Sequence, residues 1–360
     1  MPLVLTLSSG GTDVKGTLTI QEIREQPKAL ARLLDREWPA VEAAAAGLRR
    51  RLPAGVVLAA RGSSDNAALY GHYLIETVLR IPVSLASPSV VTLYRRIPRL
   101  RGMLVIGLSQ SGRSPDIVEY VRAARKAGAR TMAITNDGRS PLAGAAHTTL
   151  LLHAGPERSV AATKTYTAQL AILSLLVGAV AGDRRLLDDH RALPDLAEEA
   201  LASEETIEGA AARYRRIERC IVTSRGFNYA TAREAALKLK ETGYIAAEPL
   251  SSADLLHGPI AVVERHFPVI VAAPPGRARV HLTKITRDLT ARGADVIVVS
   301  SDRALRALAR TALPAPGPVG EALSPHVYII PLQLFATHLA LARGFNPDRP
   351  RGLRKVTRVL

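Results

Sequence analysis

Cysteine is almost absent from this chain of 360 residues, since Cys220 is the only one. A single thiol excludes any disulfide within the chain and any zinc site built from several cysteines. Cys220 opens a short apolar run with Ile221 and Val222. We therefore expect a buried, unreactive thiol at this position.

Aromatic residues and long apolar runs are also scarce. Aromatics make up 4% of the chain and no nucleic-acid-binding module is recognised, although the formal net charge is +16; such a charge also attracts anionic metabolites. The first 13 residues lack the basic segment and apolar core of a signal peptide, and we identify no apolar run of the roughly 18 residues that a membrane span needs. We therefore expect a cytoplasmic protein that binds neither nucleic acid nor membranes.

Short apolar runs alternate with amphipathic segments along most of the chain, which is typical of an α/β fold with parallel sheets covered by helices on both faces. Before this pattern begins, residues 1–17 read as a polar leader and residues 20–51 have helical periodicity, with Pro39 expected to separate two helices. The predicted strands of the first half are residues 56–60, 81–86, 104–108, 130–135 and 147–152.

The chain contains an internal repeat. Residues 57–62 align with residues 221–226 at an offset of 164, and the same offset places Gly112 on Gly276. Residues 326–330 then correspond to the strand at 147–152. The repeat predicts two doubly wound, flavodoxin-like parallel-sheet domains in tandem after an N-terminal helical segment. The predicted boundaries are 1–50 for the leader and helices, 51–185 and 186–345 for the two domains, and 346–360 for a C-terminal tail.

A polar turn follows the strand at 104–108 and precedes an amphipathic helix. It contains Ser109, Gln110, Ser111 and Ser114, and backbone N–H groups at a helix N-terminus stabilise a bound phosphate. The alternative is an ordinary serine-capped helix start. A second serine-containing loop at residues 61–64 ends what is expected to be a neighbouring strand. Because the second repeat has no hydroxyls at the equivalent position, we expect one anion site, in the first half.

The second half contains candidate acid–base groups. On a predicted helix at residues 228–244, Lys238 and Glu241 project from one face; Glu234 and Lys238 also have the spacing of an exposed ion pair, which is the simpler interpretation. His257 follows an irregular segment and precedes a Gly-Pro turn, so it is either an acid or base near neutral pH or a structural histidine. The basic tail either brings Lys355 over the site or is a disordered basic tail.

These pieces, in this order, resemble the sugar isomerase (SIS) domain family, in particular the isomerase half of glucosamine-6-phosphate synthase and the stand-alone glucosamine-6-phosphate deaminases. The resemblance covers nearly the whole chain. The matching segments are residues 61–64, 109–112, 160–164, 237–241, 257–259 and the tail around Lys355.

The resemblance implies roles for individual residues. Glu241 would move a proton between C1 and C2 of the sugar, and His257 would open the sugar ring, often reaching in from the neighbouring subunit of a homodimer. Lys238 and Lys355 match the two lysines of the family, and no metal or organic cofactor is implied. The residues expected to hold the phosphate and line the sugar are Ser63, Ser64, Ser109, Gln110, Ser111, Ser114, Val160 and Ala162.

The expected reaction is conversion of an amino-sugar 6-phosphate, such as glucosamine 6-phosphate, to fructose 6-phosphate and ammonia. No N-terminal glutaminase is expected, because the isomerase-like part begins near residue 20 and the only cysteine is internal. Arg113 and Ala162 replace residues common in the family, a glutamate and the serine of the synthase, so sugar selectivity is open. The alternatives are a fructosamine-6-phosphate deglycase, a plain aldose–ketose isomerase, and a non-catalytic phosphosugar sensor.

Overall fold

The computed structural model of the protein describes residues 16–355. The predicted polar leader therefore lies almost wholly outside the described residues, except that Thr17 already begins a helix. The elements of the first half are α1 (Thr17–Arg24), α2 (Gln26–Arg50), β1 (Val56–Ala59), α3 (Ser63–Val78), β2 (Val83–Leu85), α4 (Ser89–Thr92), β3 (Leu104–Leu108), α5 (Pro115–Lys126), β4 (Arg130–Thr135), α6 (Pro141–Ala145), β5 (Thr148–Leu151) and α7 (Lys164–Ala181).

Three helices connect the first half to the second, which repeats the alternation of strands and helices. The elements are α8 (Arg184–Asp189), α9 (Leu193–Leu201), α10 (Glu204–Arg213), β6 (Arg219–Ser224), α11 (Tyr229–Gly243), β7 (Ala246–Ser251), α12 (Ser252–Leu256), β8 (Pro268–Ala272), α13 (Arg279–Ala291), β9 (Asp295–Ser300), α14 (Arg303–Arg306), β10 (Thr311–Pro314) and α15 (Ser324–Ala342).

The strands form two five-stranded parallel sheets, ordered β2-β1-β3-β4-β5 and β10-β9-β8-β6-β7. Numbered within its own repeat, each sheet has the order 2-1-3-4-5, which is that of a flavodoxin-like doubly wound fold. The offsets predicted from sequence are found in the coordinates, because β3 and β8 begin 164 residues apart and β4 and β9 begin 165 apart. The tandem α/β fold is therefore confirmed.

Helices α7 and α15 close the two repeats and lie in the protein interior. Both are buried around nearly their whole circumference, as expected of helices that are apolar on all sides. Contrary to the sequence expectation, α7 is long and apolar enough to cross a membrane, but 94% of this stretch is buried inside the protein. Its apolar character is accounted for by the core.

The prediction that Pro39 separates two helices is wrong, because α2 runs unbroken through it. A proline inside a helix removes the hydrogen bond to the carbonyl four residues earlier. Both Pro39 and Asp35, which carries that carbonyl, are exposed, so water can satisfy the lost bond. The opposite face of α2 stays buried through Leu33, Val41 and Leu48.

The predicted strand at residues 326–330 is also wrong, because this run lies inside α15. The fifth strand of the second sheet is β10, which pairs with β9. A continuous apolar run has no periodicity to separate a buried strand from a buried helix. The segment expected to be irregular before His257 is instead β7, an edge strand paired with β6, followed by the short helix α12.

Candidate active site

A cavity of about 390 Å³ opens at the carboxyl ends of β1 and β3. These strands are hydrogen-bonded neighbours, with Ala59 paired to Gly107, and the chain continues from them to opposite sides of the sheet. Ligands of doubly wound folds bind at such a switch point. Of the twelve predicted site residues, ten line this cavity: Ser63, Ser64, Ser109, Gln110, Ser111, Ser114, Val160, Ala162, Glu241 and Lys355.

The turn after β3 owes its shape to Gly112. Its φ is +61°, and a Cβ on this residue would lie 2.1 Å from the Oγ of Ser140. Both the backbone angle and the lack of space therefore require glycine. The N–H of Gly112 donates to the carbonyl oxygen of Ser109 at 3.1 Å, which closes the turn at the N-terminus of α5.

Ser114 occupies the N-cap position of α5, yet its side chain accepts no capping hydrogen bond. Its Oγ lies 3.4 Å from the Oγ of Ser109 instead. A simple serine cap would use this hydroxyl to satisfy an N–H group of the first helical turn. The arrangement instead leaves the hydroxyls beside the helix N-terminus available to an anion.

In the second repeat, a carboxylate lies at the helix N-terminus that corresponds to the N-terminus of α5. The N–H groups of Arg277 and Ala278, at the start of α13, donate to the carboxylate of Glu321 at 2.8 and 3.2 Å. A Cβ on Gly276 would lie 2.3 Å from an oxygen of that carboxylate. The helix N-terminus of the second half is thus occupied by a carboxylate of the chain itself, whereas its counterpart in the first half faces the cavity.

A buried charge cluster on α11 reaches the cavity through Glu241. The Nζ of Lys238 lies 2.7 Å from Oε2 of Glu241 and 3.3 Å from Oε1 of Glu234. Glu234 also accepts hydrogen bonds from Ser63 Oγ and Asn66 Nδ2, at 2.9 and 2.8 Å. The interpretation of Glu234 and Lys238 as an exposed surface pair is wrong, because their side chains are 0% and 4% exposed. The cluster joins the second half to the serine loop after β1.

Burial and neighbouring charge act in opposite directions on this cluster. Burial raises the pKa of Glu234 above its ordinary value, although Lys238 and the hydrogen bond from Asn66 oppose this. Burial alone would lower the pKa of Lys238, but the carboxylates of Glu234 and Glu241 hold it above its ordinary value. Lys238 therefore stays cationic, with one carboxylate behind it and Glu241 in front, at the cavity.

The tail closes the cavity with Leu353, Arg354 and Lys355. The Nζ of Lys355 lies 2.9 Å from Oε2 of Glu157, whose side chain is fully buried. Glu157 also accepts hydrogen bonds from the N–H and Oγ1 of Thr165 and from the N–H of Thr163. Burial raises the pKa of a carboxyl group, but here Lys355 and these hydrogen bonds hold the pKa of Glu157 below its ordinary value. The tail is therefore fastened to the loop that carries Val160.

A second attachment holds the start of the tail. The carboxylate of Asp348 accepts hydrogen bonds from the N–H groups of Gly16 and Thr19, at 3.0 and 2.7 Å, and from Thr19 Oγ1 at 2.6 Å. Asp348 thereby satisfies N–H groups at the N-terminus of α1. Between the two attachments, the N–H of Arg351 donates to the hydroxyl of Tyr244.

Two of the twelve predicted site residues, Lys238 and His257, do not line the cavity. Lys238 lies directly behind Glu241, whereas His257, which follows α12, is exposed. Cys220 is buried, and burial raises the pKa of its thiol to about 12, so it is unreactive as expected. Within residues 16–355, no cluster of three or more metal-ligating His, Cys, Asp or Glu side chains is found.

Four charged residues of the site had no predicted role in it, and one of them, Glu234, was expected in an exposed ion pair. Arg61 and Asp116 line the cavity and form an ion pair, while Glu157 and Glu234 lie behind Lys355 and Lys238. Arg61 begins the first serine loop, and Asp116 follows Ser114, in the turn after β3, by two residues. The only sequence signal for these residues is that they lie close to the predicted motifs. The pairs Arg61–Asp116 and Lys355–Glu157 join distant segments, whereas Glu234 and Lys238 are four residues apart on one helix, where spacing does not reveal burial.

The SIS domain family model matches this chain twice, over residues 55–179 and 214–343, and each match covers one parallel sheet. The chain is 36% identical over 342 residues to the glutamine–fructose-6-phosphate aminotransferase (isomerizing) of Methanothermobacter thermautotrophicus, which covers 94% of this chain and 57% of that protein. The chain thus spans little more than half the length of this relative.

Solved structures show the same architecture. The C-terminal domain of glucosamine-fructose-6-phosphate aminotransferase from Francisella tularensis superposes with a TM-score of 0.85 at 27% identity, covering 94% of this chain and all of that domain. Glucosamine-6-phosphate deaminase from Thermotoga maritima superposes with a TM-score of 0.75 at 22% identity, covering 95% of this chain and all of that one. Because the identity to the Thermotoga maritima protein is only 22%, this similarity shows a shared fold and nothing more.

Proposed function

Because the chain belongs to the SIS domain family, we propose that it is an isomerase-type deaminase that converts an amino-sugar 6-phosphate to fructose 6-phosphate and ammonia. Glucosamine 6-phosphate is the expected substrate. The observation that carries the proposal is a single cavity lined by the turn after β3, by Glu241 and by Lys355. Buried Lys238 lies directly behind Glu241. We expect the enzyme to act in the cytoplasm, with no nucleic-acid or membrane partner.

The proposed reaction begins with the open-chain sugar held by its phosphate at the N-terminus of α5. Glu241 removes the proton from C2 and returns it to C1, so that the aldehyde becomes an alcohol and C2 becomes an imine. Water adds to C2 and ammonia leaves. Isomerisation is an internal redox change, so no electron acceptor is needed. A positioned general base contributes about 10²–10⁴-fold to such proton transfers.

A phosphosugar sensor needs the serine loops but not the charge cluster behind them. Two lysines held by three buried or partly buried carboxylates are costly to assemble, because each charge has to be taken out of water. Such a cluster facing the ligand is typical of a site that moves protons. The cluster therefore favours an enzyme over a sensor.

Ammonia release tests this proposal. The protein is incubated with glucosamine 6-phosphate, with unphosphorylated glucosamine and with a fructosamine 6-phosphate, and ammonia and fructose 6-phosphate are measured. We expect release from glucosamine 6-phosphate, loss of release in Glu241→Gln, and no change in Glu248→Gln, which alters an exposed glutamate. Release from the fructosamine alone would make the protein a deglycase, and release from none of them would contradict the proposal.

His257 enters the proposal through a homodimer, in which the histidine of one subunit completes the cavity of the other. Its exposure in a single chain fits this role. Mixing inactive Glu241→Gln subunits with inactive His257→Ala subunits should partly restore activity, because some mixed dimers have one intact site. An active species that sediments as a monomer at micromolar concentration would contradict the shared site.

A further inference from the structure

Arg61 lines the cavity but has no role in the reaction proposed above. It follows β1, just before Gly62, and its side chain is about half exposed (53%). Its Nε donates to Oδ2 of Asp116 at 2.8 Å. Asp116 lies in the first turn of α5, and its side chain is only 6% exposed. The buried carboxylate therefore fixes the guanidinium beside the N-terminus of α5.

The bond to Asp116 uses only one of the nitrogen atoms of Arg61. In the part of the chain that the structure describes, its two Nη groups form no hydrogen bond. A guanidinium presents its donors in a rigid planar fork that fits phosphate oxygens two at a time. The tether through Nε thus leaves both Nη groups available to a ligand.

The second repeat indicates where an anion lies relative to this arginine. Glu321 places its carboxylate on the N–H groups of residues 277 and 278, which correspond to Arg113 and Ser114 at the offset of 164. Asp116 is two residues further along the same helical turn. A phosphate on the equivalent N–H groups of the first half would therefore lie next to the guanidinium that Asp116 holds.

The bond between arginine and aspartate is present only in the first repeat, where the helix N-terminus faces the cavity. Arg225 corresponds to Arg61, but Val280 stands where the first repeat has Asp116. The Nη1 of Arg225 lies 3.3 Å from Nε2 of His281 instead. Since both repeats fold alike, the fold itself does not require an arginine–aspartate pair at this position.

We propose that Arg61, oriented by Asp116, donates hydrogen bonds from its Nη groups to the substrate phosphate and thereby selects phosphorylated sugars. The inference rests on the proposed function, because it takes a sugar phosphate as the ligand of the cavity. Hydroxyls and backbone N–H groups supply neutral donors, whereas Arg61 supplies the charge that a phosphate dianion needs when it leaves water. Arg61 is thus a specificity-determining residue rather than part of the proton transfer.

Calorimetric binding of sorbitol 6-phosphate tests this role separately from turnover, because this sugar alcohol has no carbonyl group and cannot react. We expect Arg61→Gln to weaken its binding about 10- to 100-fold, in keeping with the loss of hydrogen bonds to a charged group. Arg225→Gln, the matched variant in the other repeat, should bind like the parent. Circular dichroism and melting temperature check that each variant is folded.

The double variant Arg61→Gln with Asp116→Asn separates direct binding from simple neutralisation of Asp116. We expect it to stay weak, because the Nη donors are still missing. Recovery of the parent affinity would show that Arg61 only neutralises the aspartate, and would overturn the inference. Equal losses in the Arg61 and Arg225 variants, or a parent protein that binds neither sorbitol 6-phosphate nor inorganic phosphate, would also overturn it.

The result can be distinguished from a failure of the proposed reaction. If no amino-sugar phosphate releases ammonia but sorbitol 6-phosphate binding depends on Arg61, the reaction is wrong and the phosphate contact stands. If ammonia is released, Arg61→Gln should raise KM about 10- to 100-fold and leave kcat within a few-fold of the parent. A loss confined to kcat would contradict a binding role.

Discussion

Replacing Lys238 with methionine removes the only cation within ion-pair distance of both Glu234 and Glu241 among the described residues. The lysine side chain is 4% exposed and lies between the two carboxylates, 3.3 and 2.7 Å away. Methionine has a similar length but carries no charge. Removing one partner of a buried ion pair costs about 3–5 kcal/mol, because the other charge is left without compensation. We expect Lys238→Met to lose stability by about this amount at pH 8.

The loss should depend on pH through Glu234. Its pKa is raised by burial even with Lys238 present, and without the lysine it rises further. A carboxyl group whose pKa is higher in the folded state than in the unfolded state stabilises the fold least at high pH, because only the unfolded state then ionises freely. The cost of Lys238→Met should therefore be smaller at pH 5 than at pH 8.

Urea unfolding followed by far-ultraviolet circular dichroism measures these differences. The matched control is the double variant Lys238→Met with Glu234→Gln, which removes both charges of the buried pair. We expect it to regain most of the lost stability and to show little of the pH dependence of Lys238→Met, because the titrating carboxyl group is gone. It should nevertheless stay inactive, because Glu241 has lost its cation. A cost below about 1 kcal/mol for Lys238→Met, or no recovery in the double variant, would refute the buried-pair reasoning.

Two further predictions concern the phosphate turn and the core. Replacing both Ser109 and Ser111 with alanine should raise KM for phosphorylated sugars at least about 10-fold, since each hydrogen bond to a charged group contributes about 1.5–3 kcal/mol; an unchanged KM would place the phosphate elsewhere. His190 and His326 both contact Ser174 Oγ, and burial lowers their pKa to about 4 and about 3. Below about pH 6.5 only the unfolded state takes up these protons, so the free energy of unfolding should fall by about 2 kcal/mol per histidine between pH 7 and pH 5. Urea unfolding at both pH values measures this fall. A variant with glutamine at both positions that loses as much stability as the parent would contradict it.

Local sequence was sufficient to predict the turn after β3 and the repeat. The turn after β3 is encoded by a short apolar run and by Gly112, which no other residue can replace without strain. The repeat was visible because each half uses the same apolar runs at nearly constant spacing. Those features depend on neighbours along the chain, so their placement did not require knowledge of the tertiary fold.

The errors arose where tertiary packing decides the outcome. Pro39 continues a helix because the opposite face of α2 is buried, and residues 326–330 are helical because α15 is surrounded by protein. The spacing of Glu234 and Lys238 fits an exposed pair as well as a buried one, and only the fold shows that α3 covers them. The partners of Arg61 and Lys355 lie 55 and 198 residues away in sequence, beyond the reach of any local pattern.

Exchange of the C2 hydrogen with solvent tests the central claim, that Glu241 moves a proton on a bound sugar phosphate. Glucosamine 6-phosphate is incubated in deuterium oxide with the parent protein, with Glu241→Gln and with Glu248→Gln, and the C2 proton is followed by nuclear magnetic resonance. The parent and Glu248→Gln should exchange it, while Glu241→Gln should bind the sugar phosphate with similar affinity and leave the C2 proton in place. Exchange at the parent rate in Glu241→Gln would show that this carboxylate is only an ion-pair partner of Lys238, and would contradict the mechanism.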